Sequence, residues 1–98
     1  MTIRIDPEGN EVGALRRVAD WRGRRVLEIG CGDGRLTHRL ASLGARVQAI
    51  DPDAALIRKA RRKLPSSFAS RARFRVGTAD SLEYPAGTFD LVVYSWVF

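Results

Sequence analysis

The sequence predicts an α/β protein built on a doubly wound parallel sheet, and three observations within residues 24–51 predict it. Arg24-Arg25-Val26-Leu27-Glu28-Ile29 is a short apolar, partly β-branched run of the kind that forms a strand. Three glycines at alternate positions follow in Gly30-Cys31-Gly32-Asp33-Gly34, and helical spacing takes over directly after them. Arg46-Val47-Gln48-Ala49-Ile50-Asp51 then closes the unit as a second strand ending in a carboxylate. Strand, glycine turn, helix and strand together begin a doubly wound sheet.

Each element has a local cause. Alternate glycines cannot continue a strand without losing its side-chain packing, so the chain turns at Gly30. Leu36, Leu40 and Leu43 fall at i, i+4 and i+7 on one helix face, while Arg35, His38, Arg39 and Ser42 stay off it on the solvated side. Gly44 is placed to stop that helix. A right-handed crossover lays Val47 to Ile50 parallel to the first strand, which gathers Glu28, Gly30 to Gly34 and Asp51 where ligands of open α/β sheets bind.

Upstream, Thr2-Ile3-Arg4-Ile5-Asp6-Pro7 alternates but is short, an N-terminal arm that could serve as lid or edge strand. Val12, Leu15, Val18 and Trp21 follow helical spacing and predict a flanking helix, although Gly13 costs it about 1 kcal/mol relative to Ala. The chain therefore divides into an arm and helix over residues 1–22 and a sheet-forming domain over residues 23–98. After Asp51, Pro52 fits the first helical position and Asp53 the first turn, with Leu56, Ile57, Ala60 and Leu64 on the buried face of a helix ending near Pro65. Ser66 to Ser70 reads as loop. Phe74 and Val76 alternate with Arg73 and Arg75 in a third strand with one apolar side, which belongs toward an edge. Gly77 to Thr88 is loop and carries Asp80. Phe89 to Phe98 is the most hydrophobic stretch and predicts a central fourth strand covered on both faces.

Composition sets further bounds. A 98-residue chain with 45% hydrophobic and 29% charged residues suits one soluble globular domain. No apolar run approaches the roughly 20 residues that cross a bilayer, and Met1 to Pro7 lacks the basic start and apolar centre of a signal peptide, so the sequence reads as cytoplasmic. Cys31, alone, forms no internal disulfide and has no companions for a zinc set, so no metal site is expected. The net charge of +6 can mark a nucleic-acid partner. Here Arg58, Lys59, Arg61, Arg62 and Lys63 crowd the last turns of a helix, where cations complement the dipole, and no aromatic interleaves with them. A solvated face is the favoured reading and a nucleic-acid partner is not.

Charge also selects the ligand. A dinucleotide site wants Gly-x-Gly-x-x-Gly, whereas here the third glycine comes one residue early and Arg35 stands in its place. Glu28 and Asp33 would also oppose a pyrophosphate at close range. A ligand with an amino group, a sulfonium and ribose hydroxyls would instead find acceptors in Glu28, Asp33 and Asp51, with the glycines admitting it close to the backbone. S-adenosylmethionine has those groups.

Val26-Leu27-Glu28-Ile29-Gly30-Cys31-Gly32-Asp33-Gly34 resembles the first motif of class I S-adenosylmethionine-dependent methyltransferases, which commonly reads as hydrophobics, an acidic residue, then Gly-x-Gly-x-Gly. Asp51 at the end of the second strand, Gly77-Thr78-Ala79-Asp80 after the third and Phe89-Asp90-Leu91-Val92-Val93-Tyr94-Ser95 as the fourth match in order, so the resemblance spans about Trp21 to Phe98. It implies a Rossmann-like partial sheet of order 3-2-1-4 with a flanking N-terminal helix. It also implies a cofactor site in which Gly30 and Gly32, with Cys31 and Gly34 in the same turn, approach the methionine part, and Glu28 supports the amino group. Asp51 would accept the ribose hydroxyls, Asp80 the adenine amine, and Ala79 or Ser81 would donate a backbone N–H to the ring. Tyr94, Ser95 and Trp96 would lie near the sulfonium. Asp90 reads as structural, and no catalytic residue is named.

The family continues beyond four strands, so the chain reads as the N-terminal half of a methyltransferase, apparently truncated at Phe98. Strand four would then be an unblunted apolar edge that a partner chain could cover. The methyl acceptor is unidentified, with a small molecule favoured. Two rivals stay open: a noncatalytic fragment that binds or assembles through an exposed fourth strand, and, less favoured, an NAD-binding dehydrogenase fragment.

Overall fold

The computed structural model describes residues 2–5, 20–81 and 83–95. Its elements run β1 (Thr2–Ile5), β2 (Arg25–Ile29), α1 (Arg35–Ser42), β3 (Arg46–Asp51), α2 (Ala54–Lys63), a 3-10 turn (Ser66–Phe68), β4 (Ala72–Val76), a second 3-10 turn (Ala79–Ser81) and β5 (Leu91–Ser95). The strands form one parallel sheet of order β1-β5-β2-β3-β4. The four strands expected from the sequence are β2, β3, β4 and β5, and they stand in the expected 3-2-1-4 order, with β4 at an edge.

The fourth-strand edge, which four strands alone would leave open, is covered. β1 pairs with β5 in parallel, Thr2 opposite Val92 through Ile5 opposite Ser95, so the N-terminal arm is an edge strand. Four residues are too few to announce a strand by pattern, and the backbone groups that β5 offers along its side are what give them a partner. The expected flanking helix through Val12, Leu15 and Val18 lies outside the described residues, as does Trp96. Trp21 is described, and it is buried in the core beside the entry to β2.

The main apolar cluster lies on one face of the sheet. Val26, Val47, Ala49, Phe74, Leu91 and Val93 form one apolar cluster with Leu36 and Leu40 of α1 and Ile57 and Ala60 of α2. Because α1 and α2 both pack there, β5 alternates: Leu91, Val93 and Ser95 are buried while Val92 and Tyr94 are half-buried. The strand is central, as expected, and its second face is covered less completely than its first, although Leu27 and Ile50 on that second face are buried.

The helix ends follow local chemistry. Gly44, at φ 94°, closes α1 by donating its N–H to the Ala41 carbonyl (3.0 Å), while Ala45 donates to Leu40 (3.1 Å), a Schellman stop that satisfies two orphan carbonyls. At α2 the cap is Asp53, whose Oδ1 accepts from the amides of Ala55 (2.9 Å) and Leu56 (3.2 Å). The helix thus begins two residues after the Pro52 start that the sequence predicts, because a β-region Asp at the cap satisfies the first free amides better than the first turn could. At the amino ends of the strands, Asp90 accepts from the Arg25 backbone N–H (2.8 Å) and guanidinium (3.1 Å), tying β5 to β2 in the structural role expected of it. No helix among the described residues is long and apolar enough to cross a membrane.

Candidate cofactor site

The carboxyl ends of β2, β3 and β5 meet around the glycine turn. Gly30 and Cys31 both donate their N–H groups to the Ile50 carbonyl (2.9 Å each), which pins the start of the turn to the end of β3. Gly34 closes it by donating to the Cys31 carbonyl (3.0 Å). Asp51 is the hub: its Oδ2 accepts from the Gly32 amide (3.0 Å), its Oδ1 from the Asp53 amide (2.8 Å), and its carbonyl from the Gly77 amide (3.0 Å). One residue thus joins three segments: its carboxylate holds the glycine turn and the entrance to α2, and its carbonyl the start of the loop after β4.

The turn's glycines divide by what surrounds them. A Cβ on Gly32, at φ +56°, would meet nothing within 4 Å, so its backbone faces open space beside Asp51. A Cβ on Gly34, at φ +90°, would stand 3.0 Å from Phe74 Cζ and 3.3 Å from the Ala60 Cβ. Gly34 is therefore a packing glycine that lets α1 start against β4 and α2. Cys31 is buried in the core, and burial, with Glu28 and Asp51 adding negative charge nearby, pushes its thiol far above the usual value. That side chain is inert, and only the Cys31 backbone borders the turn.

Glu28 has no exposed surface. Its Oε1 accepts from the Thr37 hydroxyl at the start of α1 and its Oε2 from the Ser95 hydroxyl at the end of β5. Burial raises the Glu28 carboxyl above its ordinary range, the two hydroxyls pull the other way, and the Asp51 charge adds to the rise. Glu28 and Ser95, both expected at the site, are thus brought into direct contact beneath it. Ala79 and Asp80 lie on the exposed 3-10 turn that follows Gly77.

Three other side chains stand differently from the sequence reading. Asp33, expected among the ligand acceptors, turns outward to Lys63 of α2 (3.0 Å), which also lowers its carboxyl below the usual value. His38, expected in solvent, is half-buried, with Nε2 lacking a partner among the described residues, and burial lowers its pKa. Thr37 went unnoticed. Its position one residue after Leu36 and four before Ala41 put a hydroxyl on the buried face of α1, and that was the available signal. No group of three metal-ligating side chains occurs among the described residues.

The chain matches the family described as Methyltransferase domain over residues 26–98. It is 46% identical over 71 residues to a ubiquinone biosynthesis O-methyltransferase of Methylocella silvestris, covering 72% of this chain and 27% of that protein. It is 40% identical over 74 residues to a magnesium-protoporphyrin O-methyltransferase of Rhodobacter capsulatus, covering 76% and 32%. The fold superposes with a TM-score of 0.76 on an S-adenosylmethionine-dependent methyltransferase from Mesorhizobium loti, at 26% identity over 93% of this chain and 42% of that one. It superposes at 0.71 on the magnesium protoporphyrin IX methyltransferase of Synechocystis PCC 6803 with bound S-adenosylmethionine, at 27% identity over 85% and 39%. The chain thus spans under half the length of these relatives. With sheet order, glycine turn and sequence identity in agreement, it belongs to the class I S-adenosylmethionine-dependent methyltransferase family.

Proposed function

We propose that this chain is the part of a methyltransferase that holds S-adenosylmethionine across the carboxyl ends of β2 and β3. The observation that carries the reading is the open space over Gly32 directly beside Asp51, a carboxylate whose two described amide contacts leave acceptor capacity for a pair of hydroxyls. In this reading the backbone of Gly30, Cys31 and Gly32 faces the methionine portion and Asp51 takes the ribose. Asp80 and the Ala79 backbone meet the adenine from the turn after Gly77. Gly34 acts by packing. Glu28, enclosed by Thr37 and Ser95, positions the turn against β5 from below.

When bound, the cofactor supplies a methyl group already activated on a sulfonium. What the protein adds is alignment, and well-oriented reactions gain on the order of 7 to 11 kcal/mol from it, so no acid-base set is required of these residues. For the acceptor we propose a small organic molecule, on the strength of the small-molecule activities named for the relatives at 46% and 40% identity.

Isothermal titration of S-adenosylmethionine and of NAD into the protein and its Asp51→Asn variant tests the proposal. Hydrogen bonds to a charged acceptor contribute about 1.5 to 3 kcal/mol, so Asp51→Asn should weaken S-adenosylmethionine roughly 10- to 150-fold while NAD shows no saturable binding. Unchanged affinity in a folded variant removes Asp51 from the site, and preferential NAD binding overturns the cofactor assignment.

A further inference from the structure

Residues 54–79 contain eight cations and no carboxylate. Three of the eight are occupied within the fold. Lys63 pairs with Asp33, and Arg71 donates to the Ala41 carbonyl (3.0 Å) while lying 5.1 Å over the Phe68 ring. Arg61 donates to the Phe74 carbonyl (2.8 Å). Val47 donates to the Arg71 carbonyl and Gly77 to that of Asp51, so the odd-numbered residues of β4 bond to β3 and Phe74 presents its carbonyl to the free edge. Arg61 therefore caps the edge of the sheet and blocks a further strand there. Its guanidinium is fixed in place by doing so.

Arg58, Arg62, Arg73 and Arg75 make no side-chain hydrogen bond or ion pair among the described residues. Arg73 and Arg75 project from the same side of β4, about 6.6 Å apart along the strand. They point to the sheet face opposite α2, and with Gln48 on that face, Arg61 of α2 and its C-cap Leu64 they line an open cavity of about 410 Å³ at the β4 edge. Arg58 and Arg62 continue the positive surface along α2, one turn apart. The sequence assigned the helix cations to solvent; the fold adds two strand arginines on the sheet face opposite α2, with Arg61 at the edge between the two sets and an open concavity beside it, which an isolated solvated helix face lacks.

We propose that the α2–β4 surface holds the phosphodiester backbone of a single nucleic-acid strand. Unpaired guanidinium forks match phosphate oxygens in geometry as well as in charge. A concavity of this size lies in the range of small-ligand clefts, so it admits a nucleotide of a strand, whereas a flat bilayer surface cannot enter it. The one aromatic lining it, Phe74, is buried in the core, so bases find no stacking platform and the strand is read by its phosphates, without sequence preference. Neither Gly32 nor Asp51 lines the cavity, and its occupancy does not depend on the cofactor assignment.

Fluorescence anisotropy of a labelled 20-nucleotide oligouridine, titrated without S-adenosylmethionine from about 50 to 200 mM salt, tests this directly. Four phosphate contacts give a slope of log K against log salt of about −2.8, and Arg73→Gln/Arg75→Gln should bring it to about −1.4. The melting temperature and S-adenosylmethionine affinity of that double variant should match the parent, which separates a lost contact from a lost fold. No binding at the lowest salt overturns the proposal, as does a slope unaffected by the substitutions. Binding to phosphatidylglycerol vesicles without binding to the oligonucleotide overturns it in favour of a membrane surface.

Discussion

Gly34→Ala should destabilise the fold through Phe74, and the size of the effect follows from two separable costs. The first is backbone strain: at φ +90° an L-residue with a Cβ stands in the left-handed region, at about 1 to 2 kcal/mol. The second is overpacking, because the new methyl would sit 3.0 Å and 3.1 Å from two ring atoms of Phe74 and 3.3 Å from the Ala60 Cβ, with the core behind them already closed. Such insertions cost about 1 to 3 kcal/mol, so the sum is about 2 to 5 kcal/mol before a gain of about 0.4 to 1 from the stiffer unfolded chain. For a domain of this size each kcal/mol moves the melting midpoint by roughly 4 to 8 °C, well within the reach of thermal denaturation followed by circular dichroism. Phe74→Leu removes the two crowding ring atoms. In that background Gly34→Ala should cost only the strain, giving a coupling of about 1 to 3 kcal/mol in the double-mutant cycle. Equal costs in both backgrounds would show that Phe74 does not confine Gly34.

Gly32 should behave in the opposite way. Gly32→Ala meets no atom, so it should lose only about 1 to 2 kcal/mol of stability, yet S-adenosylmethionine affinity measured by calorimetry should fall more steeply than in folded Gly34→Ala. Glu28→Gln should change the pH dependence of stability. The folded state holds the Glu28 proton more tightly than the unfolded chain, so its contribution is complete below about pH 4.5 and is lost as the pH rises through the elevated folded value. Urea denaturation between about pH 4.5 and neutrality should show the parent losing stability relative to the variant, and parallel curves would refute a raised Glu28 pKa.

The sequence makes legible whatever local pattern determines. The Leu36 and Leu40 spacing, the Gly44 stop and the glycine turn after Ile29 each depend on residues within one or two helical turns, and each stands where expected. The edge position of β4 was readable because Arg73 and Arg75 alternate with Phe74 and Val76, an asymmetry that a central strand would not carry, although of the two apolar residues Phe74 is buried and Val76 is exposed at the strand's end. What could not be read depends on partners far along the chain. Asp33 meets Lys63 thirty residues away, and Glu28 meets Ser95 sixty-seven residues away. A local pattern contains neither. The cap at Asp53 was misassigned for another reason: Pro52 satisfies the rule for a first helical residue, yet the Asp51 side chain had already claimed the Asp53 amide and fixed the chain in an extended turn there.

The pairing of β1 with β5 has a consequence for how this chain acquires its structure. Thr2 waits for Val92, a separation of roughly ninety residues, and connections that distant slow folding because loop closure precedes any reward from contact. On a ribosome the first strand emerges before any docking place for it exists, and it stays unsatisfied while the glycine turn and both helices assemble behind it. Of the five described strands β1 is made first and pairs only when the last is complete, so a chaperone or a competing edge has its longest opportunity at residues 2–5.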